Sequence, residues 1–299
     1  MHIGLLADPW TGTLDDLVDE VAFAASAGVA RYWLAQVWRF DAMGVIPTLA
    51  AGAPALEFGV GVAAIYHRHP MTMATQALTT SLLTGGRFTL GVGMMHKPFI
   101  EGAFEIPFDR PVQFMREYLD ILQPLLQDGA ADVSGSMVSY HGPVDVPGST
   151  ACPVVLAALG PRMLRLCGER TDGTITWMTG AATVRNHIVP TITAAAEAAG
   201  RPAPRVIVGV PIHITDDVAA AKERAAAMFA LYGQMPSYRA MLDREGLAGA
   251  EDIVLAGDEA RVRGLLAPYL DSGATELIFQ IAANDADRQR TREFVATLV

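Results

Sequence analysis

The residues best suited to chemistry in this chain sit where apolar runs break into short polar segments. The first break is "EFGVGVAAIYHRHP", residues 57–70, in which two glycines two apart lead to His67, Arg68 and His69. On an extended strand His67 and His69 face one side, and an HxH pair can bind zinc. The alternative is structural. His69 precedes Pro70 and the helical pattern "MTMATQALTTSLL", where a polar residue can cap the helix. Capping is the preferred reading, and no metal site is assigned. The second and third breaks are "FTLGVGMM" (88–95) and "LAALGPRML" (156–164), which pass from strand to loop through glycine. Glycine lets a backbone approach a ligand closely, and free amides at a helix start attract phosphate. Gly93–Met94 and Leu159–Gly160–Pro161 therefore form a candidate phosphate cradle. Arg162, in the first turn after Gly160–Pro161, can add a direct contact. Trp177, directly at a strand end, is a candidate pocket wall, with Trp10 and Trp38 as further wall residues.

These groups need elements to hold them. Eight apolar runs read as strands: His2–Ala7, Arg31–Ala35, Phe58–Ala64, Phe88–Gly93, Val154–Ala158, Gly173–Trp177, Val206–Ile212 and Glu276–Ile281. Most are continuous rather than alternating, as parallel strands buried on both faces are. Helical patterns fill the gaps. In "TLDDLVDEVAFAASAG" Thr13 can cap, Asp16 takes the capping-box position, Leu14, Leu17, Val18 and Val21 are expected on one face, and Gly28 stops the helix. Strands alternating with helices predict an α/β fold, a (β/α)8 TIM barrel occupying 1–299 as one domain; a doubly wound open sheet is the alternative. Two insertions follow strand four. Residues 94–110 form a Pro- and Phe-rich loop and a candidate lid, and "SMVSYHGPVDV" predicts a hairpin turning at Gly142–Pro143. The segment "PSYRAMLDREGLAGAEDIVLAGDEARVRGLLAPYL" is expected to add helices before the last strand. In a barrel the candidate residues above all fall at the strands' C-terminal ends, where chemistry occurs. That collection is aromatic, Met-rich and poor in carboxylates, and suits a large planar ligand.

Composition narrows the partners. A net charge of −10 argues against nucleic acid, which needs a basic face. No apolar run reaches membrane-spanning length, and the N-terminus has no signal-peptide pattern. Cys152 and Cys167 share no metal spacing, which favours a reducing, cytoplasmic setting. No GxGxxG fingerprint follows strand one, which disfavours an ordinary NAD-binding domain.

The stretches "GVGVAAIYHRHP", "LLTGGRFTLGVG" and "PVVLAALGPRMLRLCGERTDGTITWMTG" resemble the luciferase-like flavin and deazaflavin oxidoreductases, over almost the whole chain. "IVPTITAAAEAAGRPAPRV" and "PSYRAMLDREG" resemble its F420-dependent subgroup. The resemblance implies a bacterial luciferase-like TIM barrel with a tricyclic cofactor ring at the strands' C-terminal ends. It implies a non-prolyl cis peptide at Gly61–Val62, with Gly61, Val62 and Ala63 supporting the ring. It places the cofactor phosphate near Gly93–Met94 and Gly160–Arg162, with Arg39, Arg68 and Lys97 as candidates for the anionic tail. The implied activity is hydride transfer between coenzyme F420 and a small organic substrate, in a homodimer. An FMN-dependent monooxygenase is the alternative, and a carrier or sensor without turnover is the third reading. Related dehydrogenases carry an acidic residue and a histidine after strand two and a glutamate after strand four. Here those stretches read Ala35–Gln36–Val37 and Met94–Met95–His96, so those activities do not carry over, and His96 is the remaining candidate proton donor or acceptor near the implied ring.

Overall fold

The computed structural model describes residues 1–10 and 12–299. Eight parallel strands close into a barrel: β1 (His2–Leu6), β2 (Arg31–Leu34), β3 (Glu57–Val60, resuming at Ala63–Ala64), β4 (Phe88–Gly93), β5 (Val154–Ala157), β6 (Gly173–Trp177), β7 (Arg205–Ile214) and β8 (Glu276–Ile281). Closure is visible in the register. Ile207 of β7 lies opposite both Ile175 of β6 and Glu276 of β8, and Leu5 of β1 lies opposite Phe279. An open sheet would leave two edges; these pairings leave none among the eight. Helices pack around the outside, as expected for the (β/α)8 barrel.

Period-two alternation explains why the strands look continuously apolar. One set of side chains fills the barrel: Leu6, Trp33, Val155, Ile175, Ile207 and Ile278, with Ala35, Val62, Ala157 and Trp177 above them. Their neighbours, such as Leu5, Tyr32, Leu156 and Val208, point outward into the larger core under the helices. Glycines make room for the bulky members. A Cβ on Gly59 would fall within the fully buried Trp33 indole, and one on Gly209 would sit 2.9 Å from Trp177 Cε3.

Four expectations need correction. Strand three is not continuous from Phe58 to Ala64. Phe58–Gly59 pair with Phe88–Thr89, but Ala63–Ala64 pair with Val92–Gly93, so β3 carries one extra residue between them. The bulge contains the cis peptide Gly61–Val62 that the resemblance implied. In the first helix, Leu14–Ser26, the capping box of Thr13 and Asp16 forms and Gly28 adopts φ +76°. The buried stripe, however, is Leu17, Val21 and Ala24, while Leu14 and Val18 are exposed, because the next layer covers only a narrow i, i+4, i+7 face.

The hairpin pairs Ala130–Val133 with Tyr140–Pro143, and it turns through 134–139 rather than at Gly142–Pro143. Glu117, on the helix Pro111–Gln127, fixes that turn: its carboxylate accepts from Met137 N at 2.7 Å, Val138 N at 3.3 Å and Ser136 Oγ at 2.9 Å. Lastly, a short strand, Leu255–Gly257, pairs with the far end of β7, which runs two residues beyond its expected end. The segment from Pro236 supplies the expected helices, Pro236–Glu245 and Glu259–Leu270. Among the described residues no helix is long and apolar enough to cross a membrane.

Candidate active site at the barrel mouth

The C-terminal strand ends open onto a rim of rings. Trp38, after β2, stacks on Phe104 at 5.9 Å and meets Phe99 edge-on at 5.8 Å. Both phenylalanines come from the expected lid, which folds as the helix Lys97–Ala103 and its exit. His67, after β3, also stacks on Phe104, at 4.9 Å and 10° between planes. His96 bridges Phe99 and Tyr238. Tyr238 meets Tyr232, and Tyr232 meets Trp177 at the end of β6. The chain of rings thus runs from β2 to β6 across the mouth. Tyr232 and Tyr238 both follow β7; the expected added helices begin only at Pro236, and neither tyrosine was assigned to the site. One helix there does two jobs: Pro236–Glu245 sets Tyr238 on His96, and its Glu245 carboxylate accepts from Thr183 N in the loop after β6.

Burial lowers the His96 pKa from the ordinary histidine value, which favours the neutral imidazole. Burial and then the Arg68 charge lower that of His67. Tyr66 stacks on Phe108 at 5.0 Å; burial, then Asp109 and Glu101, push its hydroxyl up to about 12.

The expected site residues divide by environment. Trp177, Val62 and Ala157 top the column of side chains in the barrel and floor the mouth. A Cβ on Gly61 would lie 2.9 Å from Ile175 Cδ1, and a Cβ on Gly93 would lie 2.5 Å from Val62 Cγ2. Close packing inside the barrel therefore accounts for both glycines. Gly93 also gives its carbonyl to Ile65 N at 3.0 Å, which closes the bulge. Ala63 is buried beside it, and Met94 is half-buried at the rim. Met95 and Met178, just past β4 and β6, adopt left-handed φ of 60° and 51°. Non-glycine residues seldom take that conformation, and both positions border the mouth.

Gly160 differs from Gly61 and Gly93. Nothing lies within 4 Å of where its Cβ would be. It is the N-cap of Pro161–Arg170, whose first turn receives no side-chain cap, and Gly160, Pro161 and Arg162 are exposed. The preceding carbonyl, of Leu159, is held by His187, whose Nε2–H donates to it at 2.8 Å. His187 is buried and arrives on a π-helical segment, Val184–Ile188, that no sequence pattern announced.

Arg39 and Arg68 are engaged elsewhere. Arg39 donates to the carbonyls of Trp10 and Gly12. Arg68 Nη2 pairs with Asp41 Oδ2 at 2.6 Å, and Gln36 Nε2 donates to the same oxygen at 3.1 Å. That leaves Arg68 Nη1 and Gln36 Oε1 buried with no hydrogen-bond partner, and the Tyr66 hydroxyl likewise. Lys97 is exposed and 3.6 Å from Glu101. His69 caps its helix, Nδ1 accepting from Met71 N at 3.2 Å. Among the described residues no group of three or more His, Cys, Asp or Glu is placed to hold a metal ion.

The chain is 25% identical over 242 residues to a 5,10-methylenetetrahydromethanopterin reductase of Methanolobus tindarius, covering 80% of this chain and 73% of that one. The fold matches the coenzyme F420 dependent tetrahydromethanopterin reductase of Methanopyrus kandleri with TM-score 0.84 at 20% identity, over 100% and 98% of the two chains. It also matches the oxygenating constituent of a diketocamphane monooxygenase from Pseudomonas putida, solved with FMN, with TM-score 0.77 at 17% identity, over 99% and 96%. With residues 3–298 matching its family pattern, the chain belongs to the luciferase-like monooxygenase family.

Proposed function

We propose that this protein is an oxidoreductase that moves a hydride between coenzyme F420 and a small organic substrate, acting as one domain over residues 1–299, as a homodimer, in the cytoplasm. The observation that carries the reading is the pairing of two features at one mouth. An open, uncapped helix start at Gly160–Arg162 stands beside an apolar floor of Val62, Ala157 and Trp177 under a ring-lined rim. A phosphate-bearing, flat, tricyclic group matches both. The unpartnered Arg68 Nη1 and Gln36 Oε1 offer a donor and an acceptor to a polar ring edge or substrate group. A putative coenzyme F420-dependent oxidoreductase of Mycobacterium tuberculosis, 28% identical over 171 residues, supports F420 over FMN.

On this reading Gly160, Pro161 and Arg162 hold the phosphate, with Leu159 fixed by His187. Gly61, Val62 and Ala63 back the ring, Trp177 walls it, and Gly93–Met94 border it. The cofactor supplies the two-electron hydride chemistry, and the protein supplies orientation and a dry site. His96, neutral and ringed by Phe99 and Tyr238, takes up a proton at an imidazole nitrogen. The second reading, an FMN-dependent monooxygenase, is favoured by the FMN-bound fold neighbour.

Fluorescence titration with F420 and with FMN separates the two. F420 is expected to bind more tightly, and Arg162→Ala to weaken it about 10- to 100-fold, the value of a charged hydrogen bond. Tighter FMN binding with oxygen consumption moves the assignment to the monooxygenase. Binding of neither refutes both, and F420 binding with no acceptor ever oxidising the reduced form leaves a carrier or sensor.

A further inference from the structure

The opposite end of the barrel holds a second polar site. A cavity of about 260 Å³ opens at the N-terminal ends of the strands, lined by Arg31, Glu57, Arg87, Thr89, Pro153 and Arg205. Three guanidiniums meet there in a protein whose net charge is −10. Their counter-charges are two. Glu276 is fully buried beneath the cavity and accepts from Arg31 Nη1 at 3.0 Å and Arg205 Nη2 at 3.2 Å. Glu57 pairs with Arg31 Nε at 2.7 Å and is 49% exposed. The local balance is one positive charge in excess.

The arginines are held rigidly, but not all of their donors are used. Arg87 spends both terminal nitrogens on the carbonyls of Ala50, Ala53 and Leu56. Arg205 spends its own on Thr89 Oγ1 and Glu276. Arg31 Nη2, Arg87 Nε and Arg205 Nε enter none of these bonds, and none of the three is a sealed, unpartnered atom, so solvent reaches them. Preorganised guanidiniums with spare N–H groups are the groups that recognise phosphate and carboxylate.

We propose that this cavity at the barrel base is a binding site for a small oxyanion, a phosphate- or carboxylate-bearing metabolite, distinct from the mouth. Its occupant bridges the N-terminal ends of β2, β4 and β7 through Arg31, Arg87 and Arg205 and stabilises the closed barrel, since a ligand that binds only the folded state raises stability.

The test uses the full chain, with inorganic phosphate and citrate as separate arms against sodium chloride at matched ionic strength. Thermal unfolding is expected to rise by about 2–4 °C with the preferred anion, and isothermal titration to give one site. The larger response identifies phosphate or carboxylate as the recognised group. Glu57→Gln removes the exposed counter-charge and is expected to tighten binding about two- to fivefold. Pro153→Glu puts a carboxylate at the cavity lip and is expected to abolish it, with circular dichroism confirming the fold. The phosphate arm is run in Arg162→Ala, which weakens the cradle proposed at the mouth, so that the one site counted is the one at the base. A response no larger than that to chloride, or one that survives Pro153→Glu, overturns the proposal. So does one that Glu57→Gln leaves unchanged.

Discussion

Glu276 is the sharpest place to test how this barrel is held. Its carboxylate is 1% exposed and takes three donors: Arg31 Nη1, Arg205 Nη2 and, at 2.8 Å, Trp33 Nε1. Those donors belong to β2 and β7, so one side chain of β8 ties three strands together inside the barrel. Glu276→Gln keeps the volume and removes the charge. An amide offers one acceptor oxygen and presents two N–H donors, so at least one of the three donors would face another donor. Breaking a buried ion pair costs about 3–5 kcal/mol. Arg31 and Arg205 are 15% and 25% exposed, and Arg31 keeps Glu57, so both regain some hydration. That discount leaves an expected loss of about 2–3 kcal/mol, or about 4–10 °C in Tm for a chain of this size. Urea unfolding followed by circular dichroism reads the loss as a lower midpoint at unchanged slope. Trp33 fluorescence reports the same site, because its indole N–H loses its acceptor. A loss under about 0.5 kcal/mol with unaltered Trp33 emission would refute the claim that this carboxylate clamps the barrel.

Further perturbations have defined outcomes. Gly59→Ala drives a methyl into the Trp33 ring, which cannot swing away while its N–H is held by Glu276, so a loss of about 1–3 kcal/mol and a changed near-UV spectrum are expected; the same substitution at Gly160, which has open space, is expected to cost under about 1 kcal/mol. Acid is expected to release the hairpin before the barrel. Burial alone would raise the Glu117 pKa, but the amides of Met137 and Val138, with Gln113 and Ser136, outweigh it and hold the carboxyl at about 2. A depressed pKa contributes stability above the unfolded value, and that stability is lost as pH falls from about 4.3 toward 2. Protection of the Met137 and Val138 amides, taken as exchange relative to the intrinsic rate at each pH, should fall across that window, and in Glu117→Gln it should be low at neutral pH as well; protection that stays constant from pH 6 to 2 counts against the anchor.

What the sequence determined by itself is local or pattern-bound. Period and punctuation located the eight strands, the Thr13–Asp16 capping box, the Gly28 stop and the His69 cap, because each depends on residues a few positions apart. Family resemblance added the Gly61–Val62 bulge. The tertiary structure decided everything that needs a partner from another strand. Glu276 meets Arg31 across 245 positions, and His187 reaches back 28 to the Leu159 carbonyl. Arg39 was a candidate for an anionic tail, yet the fold commits it to Trp10 and Gly12, and Arg68 gives Nη2 to Asp41 and keeps only Nη1 without a partner. Gly93 looked open to a phosphate, yet Val62 fills its space, while Gly160 is open. Hydropathy records which face of an element is buried. It does not record which side chain from a distant element covers that face, because closure and register set that pairing.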